Sequence, residues 1–313
     1  NDDHGRCYLE TVVDILFPIM LGTLIQQLYT TVDTIIVGRF VGKAALASVG
    51  GPAAVLSTIV VTFFNGLANG AAVIIAQYYG AKDRKSLHVG LHTAYLFSIV
   101  ISLIVSLVGT VLTPWLLTIM NTPQDMMADS TIYLRIYFMG ILFTLVYNMG
   151  AAIMRAVGDS RRPLLYLLVC CVMNIILDIV MVVGMKMGIA GAALATVISQ
   201  CVSAILVTWS LTRAYDAMKL KFRELRMDAR VLKKELKIGV PGALQACAYG
   251  VTNVVIQASV NSFGTDTAAG WAAYGKLDLI FWTISSALGA AVTTFAGQNY
   301  GAGKMDRYIR ASG

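Results

Sequence analysis

Eight apolar stretches, at about 12–38, 52–79, 88–115, 130–156, 163–185, 188–213, 238–262 and 271–299, occupy most of this chain. Each is long enough to cross a bilayer as a helix, for which about 20 apolar residues suffice. Apolar residues make up 57% of the sequence and charged residues 13%, with a mean hydropathy of +0.72. Soluble domains carry about 25% charged residues, so the chain reads as an all-α polytopic membrane protein.

The net charge of +7 would suit a nucleic-acid partner, but its distribution speaks for membrane topology. Lys82, Arg84 and Lys85 follow the second stretch; Arg155, Arg161 and Arg162 follow the fourth. The run from Arg213 to Lys237 follows the sixth, and Lys304, Arg307 and Arg310 follow the eighth. The alternate joints hold only Arg39, Lys43 and Lys186, with Arg135 and Lys276 near helix starts. By the positive-inside rule, every even-numbered helix ends in the cytoplasm and the N-terminus is cytoplasmic, as expected of a multi-pass plasma-membrane protein. Residues 1–10 are polar and contain no signal-peptide core. Residues 214–237 read as a solvated basic linker rather than a nucleic-acid patch.

Four of the five cysteines, Cys170, Cys171, Cys201 and Cys247, lie in apolar runs, and none has zinc spacing. They read as small hydrophobes. His88 and His92, four apart at a helix start, read as interfacial polar residues rather than a metal pair. No cofactor is expected. Gly80, Gly158 and Gly264 fall where helices should end and suit left-handed caps.

The first stretch contains one deep carboxylate, Asp33, and one proline, Pro18. Gly22, Gln26, Tyr29 and Asp33 share a helical face. An acid at mid-membrane costs about 2.5–3.5 kcal/mol on insertion scales, so this stripe is expected to face protein or water. In the fifth stretch Asn174 and Asp178 are four apart on one face; in the sixth, Gly188, Gly191 and Ala192 form a small face, followed by Thr196 and Gln200. Asp33, Asn174, Asp178 and Thr196 supply the oxygen ligands that hard cations such as Na⁺ prefer. The same set could share a proton, because two close carboxylates in a low-dielectric cavity cannot both ionise cheaply. Separate structural hydrogen bonds are the alternative. Asn65 and Asn69 are candidates for a cavity wall or for bonds between helices, and Gly66 and Gly70 beside them suit close helix packing.

An internal repeat is present. GlnTyrTyrGlyAla at 77–81 recurs as GlnAsnTyrGlyAla at 298–302, an offset of 221, and Pro18 recurs as Pro241. The stretch 38–50 echoes 261–275. Six spans separate the copies, so they share an orientation, which describes parallel repeats. The resulting division is a six-helix lobe at 1–213, the linker at 214–237 and a partial second lobe of two helices at 238–313. Because the second copy stops after two helices and the first residue is Asn1, the chain is expected to be a fragment of a protein monomeric when complete. The two helices after 238 are expected to pack poorly on the first lobe. Aligning the prolines puts Gln245, Tyr249 and Thr252 opposite Gly22, Gln26 and Tyr29, but Ile256 opposite Asp33. Gln245, Tyr249 and Asn253 are the second lobe's candidates for cavity lining.

These residues resemble the multidrug and toxic compound extrusion (MATE) transporters. The resemblance rests on Pro18, GlnLeuTyr at 27–29, Asp33 with ValGly at 37–38, and the GlnTyrTyrGlyAla segment with its copy. ArgAlaValGlyAspSerArgArgPro at 155–163 and GlyAlaAlaLeuAlaThr at 191–196 extend it. It implies two six-helix lobes around a central cavity and export of organic, often cationic, compounds driven by inward H⁺ or Na⁺. In the DinF-like branch it implies an ion site matching Asp33, Asn174, Asp178 and Thr196, and a bend of helix one at Pro18. The chain departs from the pattern in lacking helices nine to twelve.

Two other functions compete. An intramembrane aspartyl protease would use two helix-borne acids, but Asp178 sits in IleLeuAspIle, and a repeat has no role there. A lipid-linked precursor flippase of the same superfamily would be expected to line its cavity with basic residues, and the helix interiors hold almost none.

Overall fold

The computed structural model describes residues 2–214, 216–262 and 265–306. Gly264, Arg307 and Arg310 lie outside the described residues, as do the side chains of Cys7 and Lys276. The described backbone is helical almost throughout. Its elements are α1 (Asp2–Phe40), α2 (Lys43–Ser48), α3 (Ala54–Gly80), α4 (Arg84–Ile119), α5 (Gln124–Ala156), α6 (Arg161–Asp178), α7 (Gly188–Thr212), α8 (Ala229–Ser262) and α9 (Thr265–Gly301). Wide π turns join α2 to α3 (Val49–Ala53) and extend α6 (Ile179–Gly184).

Among the described residues, six helical runs are long and apolar enough to cross a membrane: Lys43–Gly80, Arg84–Ile119, Gln124–Ala156, Arg161–Gly184, Gly188–Thr212 and Ile280–Gly301. The sequence suggested eight. α1 and α8, of 39 and 34 residues, are as long, and the side chains of residues 1–15 and of several positions in α8 lie outside the described residues.

Local chemistry starts and stops these helices. Asp83 caps α4, its Oδ1 accepting from the Ser86 amide at 3.1 Å. Asp228 does the same for α8, accepting from the Arg230 and Val231 amides; each cap satisfies donors a helix start leaves orphaned. Gly158, at φ +95°, ends α5 as expected. Gly80 does not take that role: Lys82 adopts the left-handed position (φ +54°) instead. Gly80 is small for another reason. A Cβ there would overlap the backbone of Gln298 in α9.

The contact between α3 and the last two helices is intimate, which corrects the expectation of poor packing. A Cβ at Gly66 would overlap the backbone of Ala243, and one at Gly70 would overlap Gly239. Small residues let two backbones approach and gain dispersion contacts along their length.

The basic joints gather at one end of the bundle. There Gln298 Nε2 donates to the Ala156 carbonyl at 2.8 Å, and Arg162 reaches Ser210 at 3.4 Å. The linker is anchored to the start of α4: the Lys221 amide donates to His92 Nε2, and the Asp228 amide to Thr93 Oγ1, each at 3.1 Å. Its basic side chains Lys219, Lys221, Arg223 and Arg226 remain exposed, while Leu220 is buried. His92 Nδ1 then carries the proton and donates to the His88 carbonyl at 2.8 Å, so both ring nitrogens are engaged in structural bonds.

Candidate functional site

α1 packs along α6, which in turn packs along α7. This arrangement brings the four oxygen-bearing residues into one buried region. Asn174 and Asp178, one turn apart on α6, are fully buried; Asp33 and Thr196 are 9% and 8% exposed. Asn174 Nδ2 points to Thr196 Oγ1 at 3.5 Å, and Thr196 donates to the Ala192 carbonyl at 3.1 Å. Asp33 and Asp178 lie within electrostatic reach of each other.

The balance of donors and acceptors here is uneven. Asp33 Oδ1, Asn174 Oδ1 and both oxygens of Asp178 are buried with no hydrogen-bond partner among the described residues. Gln200 Oε1, near Thr196 on α7, is in the same condition. A buried acceptor without a donor costs about 1–3 kcal/mol, and several together favour whatever brings positive charge to them. A proton on a carboxyl, or a hard cation held by these oxygens, would satisfy them.

Two features of the region were not read from the sequence. Tyr133 and Tyr137 of α5 stack with ring centroids 6.3 Å apart, and Tyr133 is within electrostatic reach of Asp33, Asp178 and Tyr29. Both looked like ordinary residues of an apolar helix, and Tyr133, Tyr137 at i, i+4 was the only signal available. The other feature is the π turn that begins directly after Asp178. Gly191 makes room for it, since a Cβ there would meet the Met181 carbonyl oxygen at 3.2 Å.

Below this region opens a cavity of about 400 Å³. Pro18, Gln26 and Tyr29 line it from α1, Asn65 and Asn69 from α3, and Thr196 and Gln200 from α7. A second cavity, of about 510 Å³, lies between α3, α5, α8 and α9 and shares Asn65, Asn69, Arg155, Ser286 and Ala290 with the first. Pro18 stands inside α1, where its ring removes one backbone donor. Gln245, Tyr249 and Asn253 are not on these walls: all three are exposed on α8, whose opposite side is taken up by α3, and Tyr249 packs on Trp282 of α9 at 4.9 Å. Asp278 accepts from Tyr274 at 3.0 Å.

Residues 18–180 match the model of the MatE family. The chain belongs to this family of transporters. It is 33% identical over 306 residues to the probable multidrug resistance protein YpnP of Bacillus subtilis, covering 96% of this chain and 66% of that protein. With the probable multidrug resistance protein YoeA of the same organism it shares 30% identity, over 93% of this chain and 64% of that one. The chain thus spans about two thirds of the length of these relatives. A crystal structure of a MATE in the bent conformation superposes with a TM-score of 0.89 at 23% identity, covering 97% of this chain and 68% of that one. Membership of a transporter family removes the aspartyl protease reading.

Proposed function

We propose that this chain carries the ion-coupling lobe of an exporter of organic compounds, working by antiport with H⁺ or Na⁺. The observation that carries this reading is the set of buried oxygens without donors on Asp33, Asn174 and Asp178. Multidrug resistance is what the relatives' names describe, and the adjoining cavity falls in the size range of small-molecule sites, about 300–1,000 Å³. An ion entering from outside would occupy the Asp33/Asp178 pocket and favour one arrangement of the lobes. It can shift that equilibrium only by its difference in affinity for the two states. The basic joints, gathered at one end, would face the cytoplasm of the cell.

The test is efflux of a fluorescent compound from proteoliposomes of the full-length protein, driven separately by a pH gradient and by a Na⁺ gradient. Asp33→Asn, nearly isosteric, should abolish gradient-driven efflux while the protein still folds. Undiminished efflux in that variant would remove Asp33 from the coupling site. Flipping of a lipid-linked sugar in the same vesicles, without dye efflux, would favour the flippase reading.

A further inference from the structure

The mechanism above uses the acids and leaves one charge unexplained. Arg155, in the last turn of α5, lines both cavities. It is the one charged side chain among the described residues on either wall. Its nearest acid in sequence, Asp159, is turned away: its two oxygens accept from the Arg162 amide at 3.2 Å and from Arg162 Nε at 3.3 Å. Asp33 and Asp178 are on neither wall, and Glu235 is buried on a different part of α8. Among the described residues no carboxylate pairs with Arg155, and the ionisable group facing it is the Tyr147 phenol. That phenol is already committed, donating to the Pro163 carbonyl at 2.9 Å.

The surroundings of Arg155 supply more donors. Asn65, Asn69 and Asn148 bring amide groups to the first cavity, and Ser286 and Ser160 bring hydroxyls. Ser160 is 4% exposed, and its Oγ has no hydrogen-bond partner among the described residues. The carbonyl ends of α5 favour a cation in its last turn, which accounts for part of the placement. It accounts neither for the guanidinium's position on two cavity walls nor for the unpartnered hydroxyl beside it.

We propose that Arg155 is the docking point for a carboxylate on the exported compound, so that this protein takes anionic or zwitterionic substrates as well as cations. A guanidinium presents two parallel N–H donors that match a carboxylate in a bidentate pair. The amides and hydroxyls around it complete the shell. The aromatic body of such a compound would lie along Tyr137 and Pro163 toward α1. This inference rests on the reading of the cavity as the substrate path.

The test uses a rhodamine dye with a free benzoate and the methyl ester of the same dye, which differ in that negative charge and one methyl group. Binding to the purified full-length protein in detergent is followed by fluorescence polarisation. The free acid should bind about tenfold more tightly than the ester. Arg155→Gln should erase that difference by weakening the acid alone, and Arg155→Lys should restore only part of it. Equal binding of the two dyes to the unaltered protein, which needs no variant to fold, would overturn the proposal and leave the export reading standing. Equal weakening of both dyes by Arg155→Gln would also overturn it, by assigning Arg155 a structural role. Binding of neither dye would overturn both readings. Displacement of the acid dye by phosphatidylglycerol but not by benzoate would assign the site to a lipid headgroup, against the proposal.

Discussion

The α-carbon of Gly80 lies against the backbone of Gln298 with no room for a Cβ, and the converse contact sets Gly301 against the carbonyl of Gln77. Both pairs join the two copies of one motif, and each residue meets the partner of its own equivalent. Such an exchange is the signature of a two-fold relation, here within one chain. The repeat seen in the sequence is therefore also a contact surface.

Replacing Gly80 or Gly301 with Ala should force α3 and α9 apart. Overpacking of this kind costs about 1–3 kcal/mol, and the symmetry of the contact predicts similar losses at the two positions. Thermal unfolding in detergent should show comparable drops in midpoint. A large drop for one variant and none for the other would contradict the two-fold relation.

In the proposed ion pocket, Thr196 would take part through its hydroxyl alone. Thr196→Val keeps the shape and removes the oxygen, so ion or proton affinity should fall by about five- to tenfold, one lost ligand or hydrogen bond being worth about 1 kcal/mol. Thr196→Ser should stay close to the unaltered protein. The measurement is the shift in thermal midpoint with Na⁺ concentration and with pH, since a ligand bound only by the folded state raises that midpoint.

The linker depends on two side chains of α4. His92→Phe removes the acceptor of the Lys221 amide, and Thr93→Val removes that of the Asp228 amide. Each should speed hydrogen exchange in peptides covering 217–228, by about two- to twelvefold for a bond worth about 0.5–1.5 kcal/mol. Unchanged exchange in both variants would show that the anchoring lies elsewhere.

Glu235 lies in the early turns of α8, ahead of the apolar run at 238–262. It is 3% exposed, with Oε1 unpartnered among the described residues, and burial pushes its carboxyl up to about 8. In the unfolded chain the group ionises near its ordinary value of 4.5. As pH rises from there, the unfolded state loses its proton first, so stability should fall up to about pH 8 and then level off. Glu235→Gln should flatten that slope and raise the thermal midpoint at pH 8, with little change at pH 5. A pH profile unaltered by the substitution would contradict this.

Much of the candidate site was legible because helical spacing and the cost of burying acids act within one sequence. Asp33 on its stripe and Asn174 with Asp178 needed only periodicity. Their meeting with Thr196 followed from the resemblance, not from spacing. Tyr133 escaped notice because a phenol in an apolar helix looks the same whether it faces lipid or an acid. The anchoring of the linker was hidden too: composition described its exposed lysines correctly but says nothing of a backbone amide bonded to a histidine 129 positions away. Gln245, Tyr249 and Asn253 were legible as a set. Their polar spacing on α8 marks a shared face, and the face is exposed.

The π turn after Asp178 is, in register, an α-helix with one residue too many. Ile179–Gly184 therefore carries one residue more than an α-helical turn would hold. Removing a single residue from 179–183 should close the turn to α without disturbing the residues before it. In an alignment of related sequences, a one-residue gap is expected at this place before any other in α6.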